Sequence, residues 1–283
     1  MKKALFVYAL VLSLSITTPA QRNRHKTERL SRQAIIQLGN GYGVSTPAVL
    51  FTPRGVIRPR PLIIFNHAAG QTERQLLDLS QFRKLANALN DAGIIVAASR
   101  LTDEPANGYQ NWGNRSSLDA NAELYGHLVS HYSIDTERIG MIGNSMGGLV
   151  TLTSFPDGRI PVRCAALYYP VTSLRSQYDH NAQMSTGIKN AYGILSDGSN
   201  YWQRTKGHDP ALREASDWAG MRLRFYGGGG DRVVQWAVHS EAFAEYVKGV
   251  ALESEIVPLE GDHNSNVETT GSDLVKFFGR CFE

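Results

Sequence analysis

A short motif in the middle of the chain constrains its fold more than any other feature. An apolar run, Arg138–Ile142, leads into Gly-Asn-Ser-Met-Gly at 143–147, and the residues that follow have helical spacing. A strand that enters a helix through such a turn places a serine hydroxyl on a sharp, strained bend, where flanking glycines allow close backbone approach. The motif predicts Ser145 as a nucleophile. A glycine-rich turn with a buried serine is the alternative.

Short apolar runs alternate with helical patterns along the rest of the chain. With 283 residues and 42% hydrophobic content, the chain can bury one large α/β domain, although its length alone also allows two. The alternation predicts a mostly parallel sheet covered by helices on both faces. The predicted strands are Pro47–Phe51, Leu62–Asn66, Ile94–Ser99, Arg138–Gly143, Cys164–Tyr169, Leu223–Gly227 and Glu255–Leu259, and the predicted helices are Glu73–Ala92, Ser117–His131, Met146–Ser154, Gln235–Lys248 and Ser272–Phe278.

Residues 171–217 interrupt this alternation with a polar segment rich in Ser, Asn, Gly and Asp. A structureless loop of that length is unusual inside a compact domain, so the segment is predicted to form a lid, as a small helical insertion. Its interleaved aromatic residues, and Tyr109 and Trp112 in the loop 107–112, are candidates to stack on a substrate. Packing against the core is the alternative for all of them.

A serine hydroxyl becomes a strong nucleophile only beside a base that a carboxylate orients. Of the eight histidines, His263 fits best, because it lies on the loop that follows the last predicted strand. Asp231 is the candidate acid, since it follows a predicted strand and a run of glycines; an ordinary helix N-cap is its alternative role. Asp179 is the reserve, and Asp262 is a weaker choice because neighbouring residues on a tight loop point apart.

Chemistry at a carbonyl group also needs donors for the developing oxyanion. One candidate is the backbone N–H of Met146, at the start of the helix that follows the serine. The other lies in 67–70, His-Ala-Ala-Gly, where small residues expose the main chain after a strand. Ala69 is the preferred donor there, with Ala68 in reserve, and His67 is a candidate substrate-binding residue. A structural turn with no catalytic part is the alternative.

Together these residues resemble the α/β-hydrolase superfamily, with the nucleophile turn at Ser145, an oxyanion segment at 67–70, and then Asp231 and His263 in the family's order. Ala68 stands where the family often has glycine. The segment that begins at Asp231 and the lid look especially similar to dienelactone-hydrolase-like esterases and to the catalytic domains of prolyl-oligopeptidase relatives. A dienelactone hydrolase proper uses cysteine, and an oligopeptidase carries a propeller, which this sequence lacks.

The resemblance implies an α/β-hydrolase fold: a mostly parallel central sheet flanked by helices, in one domain over residues 21–283, with the lid insertion 171–217 after the sixth strand of the family's sheet. The implied activity is that of a serine hydrolase, which needs no metal and no organic cofactor. His127 and His131 are four residues apart, but the glutamate of a zinc protease is missing between them, so a solvated helix face is expected there. The glycines before Asp231 lack the Gly-Lys-Ser/Thr of a nucleotide loop.

The N-terminal residues 1–20 are predicted to be a signal peptide, with Lys2 and Lys3, an apolar run and small residues before Gln21. An uncleaved anchor helix is the alternative. Cleavage predicts a secreted or periplasmic protein without stable membrane insertion. Removing the two lysines takes the net charge from +3 to +1, which makes nucleic acid a poor candidate partner.

An oxidising compartment would also let the two cysteines, Cys164 and Cys281, form a disulfide. An inert buried thiol is an equally good expectation for Cys164.

The sequence thus favours a secreted, carboxylesterase-like serine hydrolase that cleaves small-molecule or polymer-linked carboxylic esters through an acyl-enzyme on Ser145. A serine peptidase or amidase uses the same residues, so it stays open as an alternative. A fold-sharing binding protein without activity is the second alternative. The sequence gives no indication of the acyl group or of the oligomeric state.

Overall fold

Eight strands form one sheet in the computed structural model, which describes residues 31–39, 45–53, 58–102 and 105–283. The predicted signal peptide, 1–20, lies outside these residues. The strands are β1 (Ser31–Gly39), β2 (Ser45–Pro53), β3 (Arg60–Asn66), β4 (Ile95–Ser99), β5 (Ile134–Asn144), β6 (Val162–Tyr168), β7 (Arg222–Gly227) and β8 (Glu253–Pro258). Their order across the sheet is β1-β2-β4-β3-β5-β6-β7-β8.

The sheet is mostly parallel, as predicted, and all seven predicted strands are present. The pairs β4–β3, β3–β5, β5–β6, β6–β7 and β7–β8 are parallel. Sequence reasoning missed β1, which pairs antiparallel with β2 from Ser31↔Pro53 to Gly39↔Ser45. β1 alternates apolar and polar residues only weakly, and its side chains at 33–35 are exposed, so the usual signal of a half-buried strand is faint.

The helices that flank the sheet are α1 (Gln75–Asp78), α2 (Ser80–Asp91), α3 (Arg115–His131), α4 (Met146–Asp157), α8 (Ala242–Tyr246) and α9 (Gly271–Cys281). The single helix predicted over Glu73–Ala92 is two helices, because Leu79 is extended, with ψ 115°. The helix predicted over Gln235–Lys248 begins with a π-helical turn, Ala237–Glu241, and continues as α8.

Both faces of the sheet are buried at its central strands, and successive residues of those strands serve opposite faces. On β3, Leu62 and Ile64 pack with the core that includes α3, α4 and α8. Ile63 and Phe65 pack on the other face, in the core that includes α2 and α9. This two-sided burial explains why the strand reads as a continuous apolar run rather than an alternating one.

Residues 171–217 form a small helical insertion after β6. It contains α5 (Leu174–His180), α6 (Ala182–Tyr192), α7 (Tyr201–Thr205) and the short 3₁₀ turns Pro210–Leu212 and Ala215–Trp218. Tyr192 and Tyr201 are buried, whereas Trp202 is exposed. The helical content agrees with the sequence-based expectation, and the opening and closing of a lid stays a prediction.

A disulfide joins Cys164 on β6 to Cys281 at the end of α9. The same helix is held by Asp273, which accepts hydrogen bonds from the Arg224 guanidinium and from the Tyr226 hydroxyl, both on β7. The C-terminal helix is therefore attached to two neighbouring strands, covalently to one and by charge-assisted hydrogen bonds to the other. Within the described ranges, no helix is both long enough and apolar enough to cross a bilayer.

We expect loss of this disulfide to destabilise the fold strongly. Closing a loop between residues 117 apart in sequence restricts the unfolded chain, so Cys281→Ser should lower the free energy of unfolding by about 4 kcal/mol. Urea unfolding of the oxidised wild type and of the variant measures the difference. Reductant should lower the stability of the wild type to that of the variant and leave the variant unchanged; equal stability of oxidised wild type and variant would contradict this.

Candidate active site

Ser145 lies on the turn between β5 and α4, and its backbone has a strained conformation. Its φ is 54° and its ψ is −115°, so a non-glycine residue stands in the positive-φ region. The Ser145 N–H donates to the Tyr168 carbonyl at the end of β6 (2.9 Å), and the Ser145 carbonyl accepts from the N–H groups of Gly148 (2.9 Å) and Val171 (3.0 Å). The turn is thereby tied to the next strand and to the first residue of the insertion.

Glycines make this turn possible because the backbone around it is crowded. A Cβ on Gly147 would lie 2.0 Å from the Asn66 carbonyl oxygen, and one on Gly143 would lie 2.5 Å from the Gly147 carbonyl oxygen. Any larger residue at 147 would push α4 away from the end of β3. The two flanking glycines of the motif are therefore required by packing.

The oxyanion segment follows β3 directly, and its two candidate donors differ. The Ala68 N–H donates to the side-chain oxygen Oε1 of Gln75 at 2.9 Å, so it is already engaged. Within the described part of the chain, the Ala69 N–H donates to no acceptor, and Ala69 is half-buried. Met146 is the first residue of α4, where a backbone N–H has no acceptor inside the helix. Ala69 and Met146 thus offer the donors that an oxyanion needs.

His67 is fully buried, and its two ring nitrogens lie against backbone carbonyl oxygens. Nδ1 is 2.9 Å from the carbonyl oxygen of Ala68, and Nε2 is 2.7 Å from that of Arg100. Burial lowers the pKa of His67, because the interior disfavours the charged ring. The side chain connects the oxyanion segment to the loop after β4. Its direct contact with a substrate stays a prediction.

His263 and Asp231 lie together on the loops that follow β8 and β7. Asp231 Oδ2 is 2.7 Å from Nδ1 of His263. The other oxygen, Oδ1, accepts from the backbone N–H groups of Val233 (2.8 Å) and Val234 (2.9 Å). Asp231 is not a helix N-cap, because the next helical turn begins at Ala237 with Trp236 as its N-cap. Its bonds to the two valines hold the loop instead. A carboxylate fixed on one side by two N–H groups can hold the imidazole in a single orientation.

The glycines before Asp231 let these two loops approach each other. A Cβ on Gly228 would lie 2.2 Å from the Leu259 carbonyl oxygen, and one on Gly230 would lie 2.3 Å from that of Gly261. Side chains at these positions would separate Asp231 from His263.

The two other acids considered from the sequence have different partners. Asp179, on α5, forms an ion pair with Arg175 at 2.6 Å on the protein surface. Asp262 Oδ1 accepts from the backbone N–H groups of His263 (2.7 Å) and Arg232 (3.3 Å), and these bonds lower the pKa of its carboxyl group. Neither carboxylate contacts the His263 ring.

Ser145 and His263 both lie at the carboxyl edge of the sheet. Asn144 pairs with Tyr168, Tyr168 with Tyr226, and Gly227 with Pro258, so β5 to β8 end in one row. Side chains also connect this row: Asn144 Nδ2 donates to Oδ1 of Asn264 at 2.5 Å. The residue before the serine and the residue after the histidine are therefore in direct contact.

Tyr169, directly after β6, supports the histidine loop. Its ring meets the His263 ring edge to face, with centroids 5.4 Å apart, and its hydroxyl donates to the Ser265 carbonyl at 2.6 Å. Burial, together with the charges of Asp231 and Asp262, raises the pKa of Tyr169 to about 12. The hydroxyl therefore stays protonated and keeps donating at neutral pH.

Comparisons with known proteins agree with this geometry. A model of the prolyl oligopeptidase family matches residues 81–221, which include the serine turn and the helical insertion. A puromycin-hydrolyzing peptidase from Mycobacterium tuberculosis has 19% identity and a TM-score of 0.70, over 89% of this chain and 39% of that one. The present chain therefore spans about two fifths of the length of that peptidase. No curated protein matches the sequence at a significant level.

Two other solved structures align over nearly their whole length. An S-formylglutathione hydrolase from Agrobacterium tumefaciens has 15% identity and a TM-score of 0.68, over 90% of this chain and 97% of that one. An esterase from Pyrococcus furiosus has 16% identity and a TM-score of 0.65, over 92% and 95%. The chain has the α/β-hydrolase fold, and it is similar to peptidases, esterases and other hydrolases of that fold.

In this α/β hydrolase, the two aromatic residues predicted to bind substrate have different surroundings. Trp112 is buried, in the apolar cluster that also contains Met146 and Leu149. Tyr109 is half-buried, and the Arg100 guanidinium lies 5.3 Å from its ring centroid. Trp112 thus supports the wall behind the oxyanion donors, and stacking of a substrate on either ring stays a prediction.

His127 and His131 stack on the surface of α3, with ring centroids 4.2 Å apart. No group of three or more metal-ligating side chains occurs among the residues that the structure describes. His131 is exposed and His127 is half-buried.

Sequence reasoning missed several residues that hold the site together, chiefly Gln75, Tyr169, His239 and Asn264. Asn144 lies inside the serine motif, next to the serine itself. Gln75 is the first residue of a short helix. A polar residue within a buried stretch signals that the side chain has a hydrogen-bond partner. The partner of each amide lies in a distant segment, so the sequence does not identify it.

His239 is the second buried histidine near the site. Its Nδ1 accepts from the backbone N–H groups of Thr172 and Ser173, at 3.2 Å each, and the Thr172 hydroxyl donates to its carbonyl oxygen at 2.9 Å. Burial lowers the pKa of His239 from 6.5 to about 4. The neutral ring therefore fixes the start of the insertion to the turn before α8.

Acid should destabilise the hydrolase through His239. Because its folded pKa is depressed, its contribution to stability is complete above pH 6.5 and is lost as the pH falls toward 4. The full loss is about 3 kcal/mol, at 1.36 kcal/mol per pKa unit. Urea unfolding between pH 7 and pH 4 should show a shallower pH dependence for His239→Gln than for the wild type. Parallel profiles would contradict the assignment.

Proposed function

We propose that this α/β hydrolase cleaves carboxylic esters through an acyl-enzyme on Ser145. The observation that carries the proposal is the 2.7 Å contact between Asp231 and His263, on a loop whose next residue contacts the residue before Ser145. A strained serine, an oriented imidazole and free backbone donors then converge at one edge of the sheet. This is the arrangement that acyl transfer requires.

Each residue has a distinct chemical role in this proposal. His263 takes the proton of the Ser145 hydroxyl as the serine oxygen attacks the acyl carbon. The N–H groups of Ala69 and Met146 donate to the oxyanion of the tetrahedral intermediate. His263 then gives the proton to the departing alcohol, which leaves the acyl group on Ser145. Water, activated by the same imidazole, releases the acid, while Asp231 stabilises the imidazolium in both steps.

An ester is the favoured substrate because the two neighbours aligned over nearly their whole length are an esterase and an S-formylglutathione hydrolase. The prolyl oligopeptidase model favours the second candidate, a peptidase or amidase. Both reactions use the same three side chains and differ in the leaving group. We propose a small-molecule or polymer-linked ester as the partner of the site, and no nucleic acid.

We further propose that the protein works in an oxidising compartment, as a secreted or periplasmic enzyme. The disulfide between Cys164 and Cys281 supports this location.

Hydrolysis of p-nitrophenyl acetate, butyrate and octanoate, beside aminoacyl p-nitroanilides, tests the proposed activity. We expect turnover of the esters to exceed that of the anilides, and Ser145→Ala to abolish it, because the acyl-enzyme cannot form. Mass spectrometry of the acylated serine after rapid acid quenching identifies the intermediate. Faster turnover of the anilides would favour the peptidase, and equal activity of wild type and Ser145→Ala would overturn the serine mechanism.

Asp231→Asn should lower kcat by about 10⁴-fold, because an amide can present an N–H to Nδ1 of His263 and so leave the proton on Nε2. The amide oxygen still accepts from Val233 and Val234, so folding should be retained. Asp179→Asn is the matched control, since its carboxylate pairs with Arg175 on the surface. A large loss in the control, or none at Asp231, would contradict the assignment of the acid.

A further inference from the structure

Three amide side chains connect the oxyanion segment, the serine turn and the histidine loop. Gln75 Oε1 accepts from the Ala68 N–H at 2.9 Å, and Gln75 Nε2 donates to Asn144 Oδ1 at 2.8 Å. Asn144 Nδ2 then donates to Asn264 Oδ1 at 2.5 Å and to the Tyr168 carbonyl at 3.3 Å. We call Gln75, Asn144 and Asn264 the amide bridge. It spans 69 residues of sequence on one side and 120 on the other.

Backbone groups at Gln75 and at Asn144 fix the direction of the bonds in the bridge. The Ala68 N–H can only donate, so the oxygen of Gln75 must face it and the nitrogen must face Asn144. The Tyr168 carbonyl can only accept, so the nitrogen of Asn144 must face it and also Asn264. Rotation of the Gln75 amide by 180° would place like groups together at two contacts, and rotation of the Asn144 amide would do so at three. The bridge therefore has one arrangement.

The bridge is buried where it meets the serine turn. Gln75 is 1% exposed and Asn144 is 0% exposed, so losing a partner would leave a polar group unpaired away from water. Asn264 is half-buried and has a φ of 66°, in the left-handed region that asparagine tolerates better than most residues. That conformation sets the backbone directly after His263.

The bridge acts on groups that the proposed reaction uses. By engaging the Ala68 N–H, Gln75 holds the peptide plane between His67 and Ala68, which is directly next to the plane that carries the Ala69 N–H. Through Asn264, the same chain of bonds fixes the loop that carries His263. Gln75 and Asn264 both bind Asn144, which directly precedes Ser145.

We propose that the amide bridge is a positioning device that sets the Ala69 N–H and the His263 imidazole at their working distances from Ser145. Gln75 and Asn264 are positioning residues that touch neither substrate nor reacting atoms. The inference rests on the proposed serine-hydrolase function and adds residues that the three catalytic side chains do not include.

The first test compares Gln75→Met with a matched control, Asn90→Leu. Methionine keeps the length of the side chain but removes both bonds, so kcat should fall about 10- to 100-fold while KM changes little, because misplacement affects the transition state most. Asn90 is equally buried, and its amide donates to the Ile94 carbonyl at 3.1 Å beyond α2, away from the site. Its loss should reduce thermal stability and leave kcat unchanged.

The second test uses Asn264, where a conservative variant is available. Asn264→Ala removes the acceptor for Asn144 Nδ2 and should lower kcat. Asn264→Asp keeps an acceptor there and should restore most of kcat when both are measured on the pH-independent plateau. A purely structural role would give a loss of stability in the alanine variant with no change in kcat.

A double-mutant cycle decides whether the bridge works as one unit. Gln75 and Asn264 each contact Asn144, so Gln75→Met and Asn264→Ala together should lower kcat hardly more than the larger single change. Losses that multiply, or single variants with the kcat of the wild type, would overturn the proposal.

Labelling of Ser145 by a fluorophosphonate, measured by mass spectrometry, gives a readout that does not depend on the substrate. Slower labelling in the bridge variants than in Asn90→Leu supports positioning. A wild type that neither hydrolyses the esters nor reacts with the probe would overturn the serine-hydrolase function and the bridge together. A reactive wild type with equally reactive bridge variants would overturn the bridge alone.

Discussion

The helix that follows Ser145 lies directly against the end of β3, and only a hydrogen atom fits between them. The constraint is steric: a Cβ at residue 147 would lie 2.0 Å from the Asn66 carbonyl oxygen. Because Asn66 immediately precedes the oxyanion segment, this contact sets the serine and one oxyanion donor side by side. The other parts of the site are arranged around this contact. The row of parallel strand ends brings in His263 and Asp231, and the amide bridge adjusts their relative positions.

Several buried residues around the site are polar, and their hydrogen bonds hold the loops of the site in a fixed orientation. His67, Gln75, Asn144 and His239 are buried and engaged with backbone groups or with each other. Each connects segments that follow different strands, and each keeps one direction because backbone groups have fixed donor and acceptor roles. Such a framework has a cost, since any broken bond leaves a buried polar group without water. It also holds the loops of the site in positions as well defined as those of residues in strands and helices.

The fold and the main candidates of the site could be predicted because their signals are local. The serine motif, the apolar runs and the order of acid and histidine occupy short stretches of sequence, and the parallel sheet follows from their alternation. Ala69 was preferred over Ala68, but the physical reason for that preference was not visible in the sequence, because it depends on Gln75, whose oxygen reaches the Ala68 N–H only in the folded protein. β1 was missed because its apolar and polar residues alternate only weakly and its side chains at 33–35 are all exposed. Burial of His67 and Trp112 was likewise set by distant neighbours, Arg100 and the helical insertion.

The disulfide also gives the chain an unusual connectivity. The covalent ring closed by Cys164 and Cys281 contains the helical insertion, Asp231 and His263, whereas Ser145 and the oxyanion segment lie on the chain outside it. A protease that cuts once within the insertion would therefore release no fragment from the oxidised protein. The acid and the histidine would stay linked through Cys281 to β6, the strand beside the serine turn. A single cut in the insertion thus leaves every part of the site attached.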